Sequence, residues 1–166
     1  MTKKDRAARW ESGRIADQLH RAFYGNAWHG PAVLELVSDV DAATAAARPL
    51  EGVHSIWELL LHVEAWDQAA MTRLCGKKCQ PKGAKNFPPV GTITGSKWRA
   101  AVVSANRTHD QLVKMVEGLS ESRLRDRVPG KRYDFYHMLH GIAQHELYHA
   151  GQIAILKKAA SGSRVR

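Results

Sequence analysis

Apolar residues recur along most of the chain at the three- and four-residue spacing of an amphipathic helix. Alternation of apolar and polar residues, which would indicate strands, is nowhere sustained. The pattern predicts four long helices, over residues 4–24, 55–74, 96–117 and 133–160. Shorter helical turns are expected over residues 32–40, 42–47 and 120–125. We therefore predict an all-α fold, a four-helix bundle forming a single domain over residues 1–166.

The predicted boundaries rest on capping residues and on glycines and prolines. Ser55 and Glu58 form a capping-box pair at the start of the second long helix, and Gly76 follows its end. Residues 80–95 contain three prolines and three glycines, so we expect a loop that is long for a bundle. A connection of this length leaves room for a crossover instead of a plain up-down-up-down order.

Composition agrees with a globular domain. Hydrophobic residues make up 44% and charged residues 25% of the chain, which is ordinary for this class. No run of about 18 apolar residues occurs, so no membrane span is expected. The charged N-terminus leads into no apolar segment of a secretory signal. We therefore expect a cytoplasmic protein in which Cys75 and Cys79 are free thiols.

The net charge of +9 raises the question of nucleic-acid binding. Basic residues form two local clusters, over residues 77–85 and 123–132, and neither is interleaved with aromatic residues as in single-strand binding proteins. We expect a solvated basic surface and no nucleic-acid partner. The alternative, a basic nucleic-acid-associated bundle, would be supported by strongly salt-dependent DNA binding.

The clearest chemical signal is a pair of histidines four residues apart, His145 and His149, in the predicted fourth helix. On a helix they share a face, so both can reach one metal ion. With Glu146 between them they also match the H-E-x-x-H pattern of zinc proteases. However, none of the 17 residues after His149 is Asp, Glu or His, and no strands are predicted that could hold a peptide. We therefore do not expect a zinc protease, and Glu146 loses the role of general base.

A third ligand must come from upstream, and His62 is the best candidate. It lies in the middle of the second long helix with Leu59 and Trp66 on its face, where a polar imidazole needs a partner. Inward-facing side chains of a bundle commonly build metal sites. The alternative is a core histidine satisfied by a hydrogen bond.

Three residues near these histidines are candidates for supporting roles. Gln152 follows His149 by about one turn and could donate a hydrogen bond to stabilise a ligand. Glu58 could orient His62 instead of capping its helix. Tyr148 could line the pocket or simply pack against the bundle.

The remaining histidines are weaker candidates. His29 follows Trp28 in a break bounded by glycine and proline, and it is a possible pocket residue. His20 and His109 are expected to be exposed helix residues. His54 is expected to be a surface or capping residue.

Two segments of the chain are similar to a known family. Residues 55–66 (Ser-Ile-Trp-Glu-Leu-Leu-Leu-His-Val-Glu-Ala-Trp) and 145–153 (His-Glu-Leu-Tyr-His-Ala-Gly-Gln-Ile) resemble the DinB-like, DNA-damage-inducible family of four-helix metalloproteins. This group also contains bacillithiol- and mycothiol-dependent transferases. Residues 27–31 and 128–131 add to the resemblance, which covers nearly the whole chain.

The resemblance implies a bundle with a crossover connection and a divalent metal, zinc or nickel. The metal ligands would be His62, His145 and His149. The resemblance also implies a homodimer. Many members carry Asp at the position of Glu146, which fits an incidental role for this residue.

Three neutral imidazoles would leave an open position on the metal, as in catalytic sites. We therefore expect a metal-dependent thiol transferase that acts on a small-molecule substrate with a low-molecular-weight thiol. The alternatives are a metal-dependent hydrolase and a non-catalytic metal-binding stress protein.

Overall fold

The computed structural model describes residues 10–162, which contain seven α-helices and no β-strand. The helices are α1 Glu11–Tyr24, α2 Val33–Val37, α3 Ala42–Ala46, α4 Ile56–Leu74, α5 Gly95–Glu117, α6 Glu121–Leu124 and α7 Phe135–Gly162. One 3-10 turn, Gly83–Lys85, interrupts the loop between α4 and α5. The all-α prediction is confirmed.

The long helices begin and end close to the predicted residues. The bounds of α4, α5 and α7 agree with the prediction within two residues. Ser55 and Glu58 form the predicted capping box, because each side chain accepts a hydrogen bond from the other residue's backbone N–H. Residues 4–9 of the first predicted helix lie outside the described residues.

The four long helices form a bundle in which chain neighbours are not always spatial neighbours. Helices α1 and α4 each pack against both α5 and α7, so α1 lies diagonally opposite α4, and α5 opposite α7. The two diagonal connections are therefore the one from α1 to α4, through α2 and α3, and the one from α5 to α7. The crossover is confirmed, but its placement in residues 80–95 is wrong, because that loop joins the adjacent helices α4 and α5.

A polar layer divides the interior of the bundle. Residues up to Val63 on α4 and from Ala150 on α7 belong to one apolar cluster. Residues from Ala70 on α4 and up to Ala143 on α7 belong to a second apolar cluster. Between the two clusters lie buried polar side chains, namely His62, Glu64, Asp67, Thr108, His109, Glu146 and His149. The bundle therefore places most of its buried titratable groups at one level.

Two smaller predictions concern membrane spans and thiols. Within residues 10–162, no helix combines the length and the apolar character that crossing a membrane requires. Cys75 is exposed and Cys79 is half-buried, and both are free thiols as predicted.

Candidate metal centre

Three imidazoles converge in the polar layer, one from α4 and two from α7. The Nε2 atom of His145 lies 2.9 Å from Nε2 of His62 and 3.0 Å from Nε2 of His149. His62 and His149 are each 5% exposed, and His145 is half-buried. The structure thus brings together the three histidines that the sequence suggested as ligands.

The outer nitrogen atoms of two of these rings determine where their protons lie. Nδ1 of His62 is 2.6 Å from the backbone carbonyl oxygen of Asn86, and Nδ1 of His149 is 2.7 Å from Oε1 of Gln152. Both oxygens only accept hydrogen bonds, so both Nδ1 atoms carry the proton and both neutral rings present a lone pair at Nε2. His145 has one Nε2 and can donate to only one of these lone pairs. At least one inner nitrogen atom therefore has a lone pair that faces no hydrogen-bond donor, and a bound cation would accept that lone pair.

The surroundings keep these rings neutral. Burial lowers the pKa of His62 to about 4, although the hydrogen bond to Asn86 opposes this shift. Burial, followed by the neighbouring His149 and His62, lowers the pKa of His145 to about 3. Burial also lowers the pKa of His149, against the effect of Gln152. Neutral imidazole is the form that binds a metal, so the donor set fits a divalent cation.

The loop between α4 and α5 closes one side of the centre. The ring of Phe87 stacks on His62 at 3.9 Å, and His54 stacks on the same phenyl ring at 3.8 Å. The indole Nε1 of Trp66 donates to the side-chain oxygen of Asn86 at 2.9 Å. His54 lies at the surface, as predicted, with its side chain 41% exposed, and its ring also supports Phe87 from behind.

The three residues with predicted supporting roles and the possible pocket residue His29 lie in different places. Gln152 contacts His149 directly. Glu58 is occupied by its capping box and by an ion pair with Arg48, and the Asn86 carbonyl, not Glu58, contacts Nδ1 of His62. Tyr148 is 65% exposed, with its ring edge against His149. His29 is exposed and lines a different cavity, between α1 and α7.

A second titratable cluster occupies the other side of α7. Nδ1 of His109 lies 3.0 Å from Oδ2 of Asp67 and 3.2 Å from Oε1 of Glu146, and its Nε2 is 3.2 Å from the carbonyl oxygen of Leu19. All three side chains are at most 1% exposed. The prediction that His109 is exposed is wrong, because its ring faces the bundle interior; Glu146 contacts His109 there, and its incidental role at the metal stays a prediction.

This second cluster balances its charge within the described residues. Burial disfavours a charged His109, but Glu146 and Asp67 outweigh it and raise its pKa to about 10. Burial raises the pKa of Glu146 to about 8, and neither of its oxygens has a hydrogen-bond partner. The positive charge of the imidazolium therefore lies against two carboxyl groups, one of which favours its protonated form. The three donor atoms lie within 4.8 Å of one another and could also hold a cation, but their complete burial favours the proton-based arrangement.

A cavity of about 210 Å³ opens beside His145, between α4 and α7. His145 and Trp66 lie in its wall together with Arg73 and Tyr133. This cavity could not be predicted from the sequence, because it depends on how the two helices face each other. Of the three imidazoles, His145 is the one that lies in its wall.

The fold and the site together define the class: an all-helical bundle with a candidate metal centre of three imidazoles. The family model of the DinB superfamily matches residues 27–153, which is more than half of the chain and includes all three histidines. The chain therefore belongs to the DinB superfamily. No curated protein and no solved structure shows a significant match.

We expect Gln152 to support metal binding through His149. Replacing it with Leu removes the acceptor that holds Nδ1–H of His149, so metal affinity should fall by roughly 10–100-fold, as such supporting partners typically contribute. Competition with a chromophoric chelator measures this change. Gln144→Leu on the exposed face of the same helix is the matched control, and equal loss in both variants would contradict the role of Gln152.

Proposed function

We propose that the protein binds a divalent metal through His62, His145 and His149 and acts as a metal-dependent thiol transferase. One observation carries the proposal: three neutral imidazoles direct Nε2 atoms at one point, and two of them hold their protons on the far side of the ring. A divalent cation bound there favours the deprotonated form of a thiol ligand. Zinc and nickel both suit imidazole ligands, so either metal fits this donor set.

The chain's own residues prepare this centre in three ways. Asn86 and Gln152 fix the proton positions of two rings, so their inner nitrogen atoms are free to act as ligands. Phe87 covers one face of His62 and excludes water there. The cavity beside His145 is the space through which we infer that a small molecule reaches the centre. Its volume of about 210 Å³ corresponds to roughly seven water molecules at the liquid density of about 30 Å³ each.

The dimensions of the cavity bear on the thiol substrate. A large thiol cofactor would place only its thiol-bearing end inside a space of about 210 Å³. We therefore propose that a small thiol enters the cavity whole, whereas a larger thiol places only its thiol-bearing end inside. The homodimer implied by the family resemblance remains a prediction, which light scattering of the purified protein would test.

The proposal is tested by metal analysis followed by a turnover assay. Purified protein should contain about one zinc or nickel ion per chain by elemental analysis. The loaded protein should then consume a low-molecular-weight thiol together with an electrophile such as an aryl halide, as measured by loss of free thiol. Binding of metal and thiol without turnover would favour the non-catalytic metal-binding protein. Hydrolysis of an ester without consumption of thiol would favour the hydrolase.

A further inference from the structure

Arg73 is a buried cation without a charged partner. Its side chain is 1% exposed, and it makes no ion pair with any residue in the described range 10–162. Its Nε donates to the carbonyl oxygen of Cys79, and Nη2 donates to Oε1 of Gln80, both of which are neutral acceptors. Burying an unpaired charge costs several kcal/mol unless something compensates it. An anion from outside the chain would provide that compensation.

The position of Arg73 connects it to the candidate metal centre. Arg73 and His145 both lie in the wall of the 210 Å³ cavity. The ring of Trp66 separates them, with its centroid 5.4 Å from Cζ of Arg73 and 5.6 Å from the ring of His145. A molecule bound in this cavity can therefore lie against His145 with one end and against the guanidinium group of Arg73 with the other.

The two basic clusters of the sequence meet near Arg73. The aliphatic stem of Lys78 passes over Gly130, where an added Cβ would come within 3.3 Å of it. Lys131 donates to Oε1 of Gln80, the same oxygen that accepts from Arg73. Clustered charge of one sign at a cleft raises the local concentration of oppositely charged ligands. The basic surface predicted from the sequence is therefore concentrated near Arg73, where it would attract anions.

We propose that the cavity selects small anionic substrates, in which a carboxylate or similar anion pairs with Arg73 while a thiol reaches the centre formed by the three histidines. Arg73 is then a specificity-determining residue. The binding of the substrate's thiol rests on the proposed function, whereas the binding of its anionic group depends on Arg73 alone. Its planar guanidinium suits a carboxylate, which accepts two parallel hydrogen bonds from it.

The experiment compares matched thiols on cobalt-substituted protein. We would titrate 3-mercaptopropionate against 3-mercaptopropanol, and 6-mercaptohexanoate against 6-mercaptohexanol, and follow the thiolate-to-cobalt absorption. At one or both lengths, wild type should bind the acid about 10–100-fold more tightly than the alcohol, the discrimination that a charge-assisted hydrogen bond gives. Arg73→Met should lose this preference and keep its affinity for the alcohol, and Arg73→Lys should retain part of the preference.

Controls separate anion binding by Arg73 from its hydrogen bonds to Cys79 and Gln80 in the following loop, and also from the proposed function. Lys131→Met removes a half-buried charge nearby and should keep most of the preference. Thermal unfolding checks that each variant folds. Equal affinity for acid and alcohol in wild type, or a preference that survives in Arg73→Met, would overturn the role of Arg73. If no thiol produces the absorption, the proposed function fails. Propionate titration, followed through the Trp66 indole N–H resonance, then decides the anion site: saturable shifts in wild type but not in Arg73→Met support it, and any other result overturns it.

Discussion

Replacing His149 with Ala is expected to reduce the affinity for a divalent metal by more than about 100-fold, because supporting partners alone contribute roughly 10–100-fold and a ligand contributes more. His149 provides one of three inner nitrogen atoms, and its proton is held on the opposite side of the ring by Gln152. The variant leaves two imidazoles, too few to define the site. Chelator competition and elemental analysis measure the loss.

The same substitution should also remove the stabilisation that metal gives to the fold. A ligand that binds only the folded state at about 1,000 times its Kd raises the free energy of unfolding by about 4 kcal/mol. Zinc or nickel should therefore raise the melting temperature of wild type but not of His149→Ala. His20→Ala, which removes an exposed imidazole from α1, is the control. Unchanged metal affinity in His149→Ala would remove the basis for the three-histidine centre.

The bounds of the helices could be predicted because apolar spacing, capping residues and glycine stops indicate the same boundaries. Apolar spacing, the Ser55–Glu58 capping box and the stop at Gly76 all agree, so α4 ends at the predicted residue. The location of the crossover could not be predicted, because loop length does not specify which helices become neighbours. Loop 80–95 does not cross the bundle; it folds back so that Asn86 and Phe87 contact His62.

The candidate site was only partly visible in the sequence. His145 and His149 lie four residues apart on one helix, so their shared face follows from helix geometry. Asn86 acts through its backbone carbonyl, which no residue type encodes. Arg73 resembled an ordinary charged residue at a helix end, and its burial depends on the loop that folds over it.

His109 and Glu146, by contrast, carried a signal that could have been used. His109 lies on the same stripe of α5 as Ala105, Leu112 and Val116, which are all buried. Glu146 lies between Leu139 and Ile153 on α7, each seven residues away and fully buried. A basic residue on one core stripe and an acidic residue on another predict a buried pair, since unpaired buried charges are costly.

Replacing His109 with Ala is expected to destabilise the fold by about 3–5 kcal/mol, the usual cost of breaking a buried ion pair by removing one partner. The variant leaves Asp67 and Glu146 buried together without a cation. Glu146→Gln should cost far less, because the amide replaces a carboxyl that holds its proton. In the double variant, the coupling between the two sites should be about 0.5–3 kcal/mol. Urea unfolding of metal-free protein measures all three.

The same cluster is expected to make the fold less stable as the pH rises. In the folded protein the pKa of Glu146 is raised from 4.5 to about 8, and that of His109 from 6.5 to about 10. The folded state therefore holds these protons more tightly than the unfolded chain, so their stabilisation is complete at low pH and is lost as the pH rises through the folded-state pKa values. Above about pH 7, where the three unliganded imidazoles no longer take up protons on unfolding, melting temperatures of metal-free wild type should fall toward about pH 10, and Glu146→Gln should fall less below about pH 8. Identical profiles for the two proteins, or a second metal ion per chain that His109→Ala removes, would contradict the proton-based arrangement.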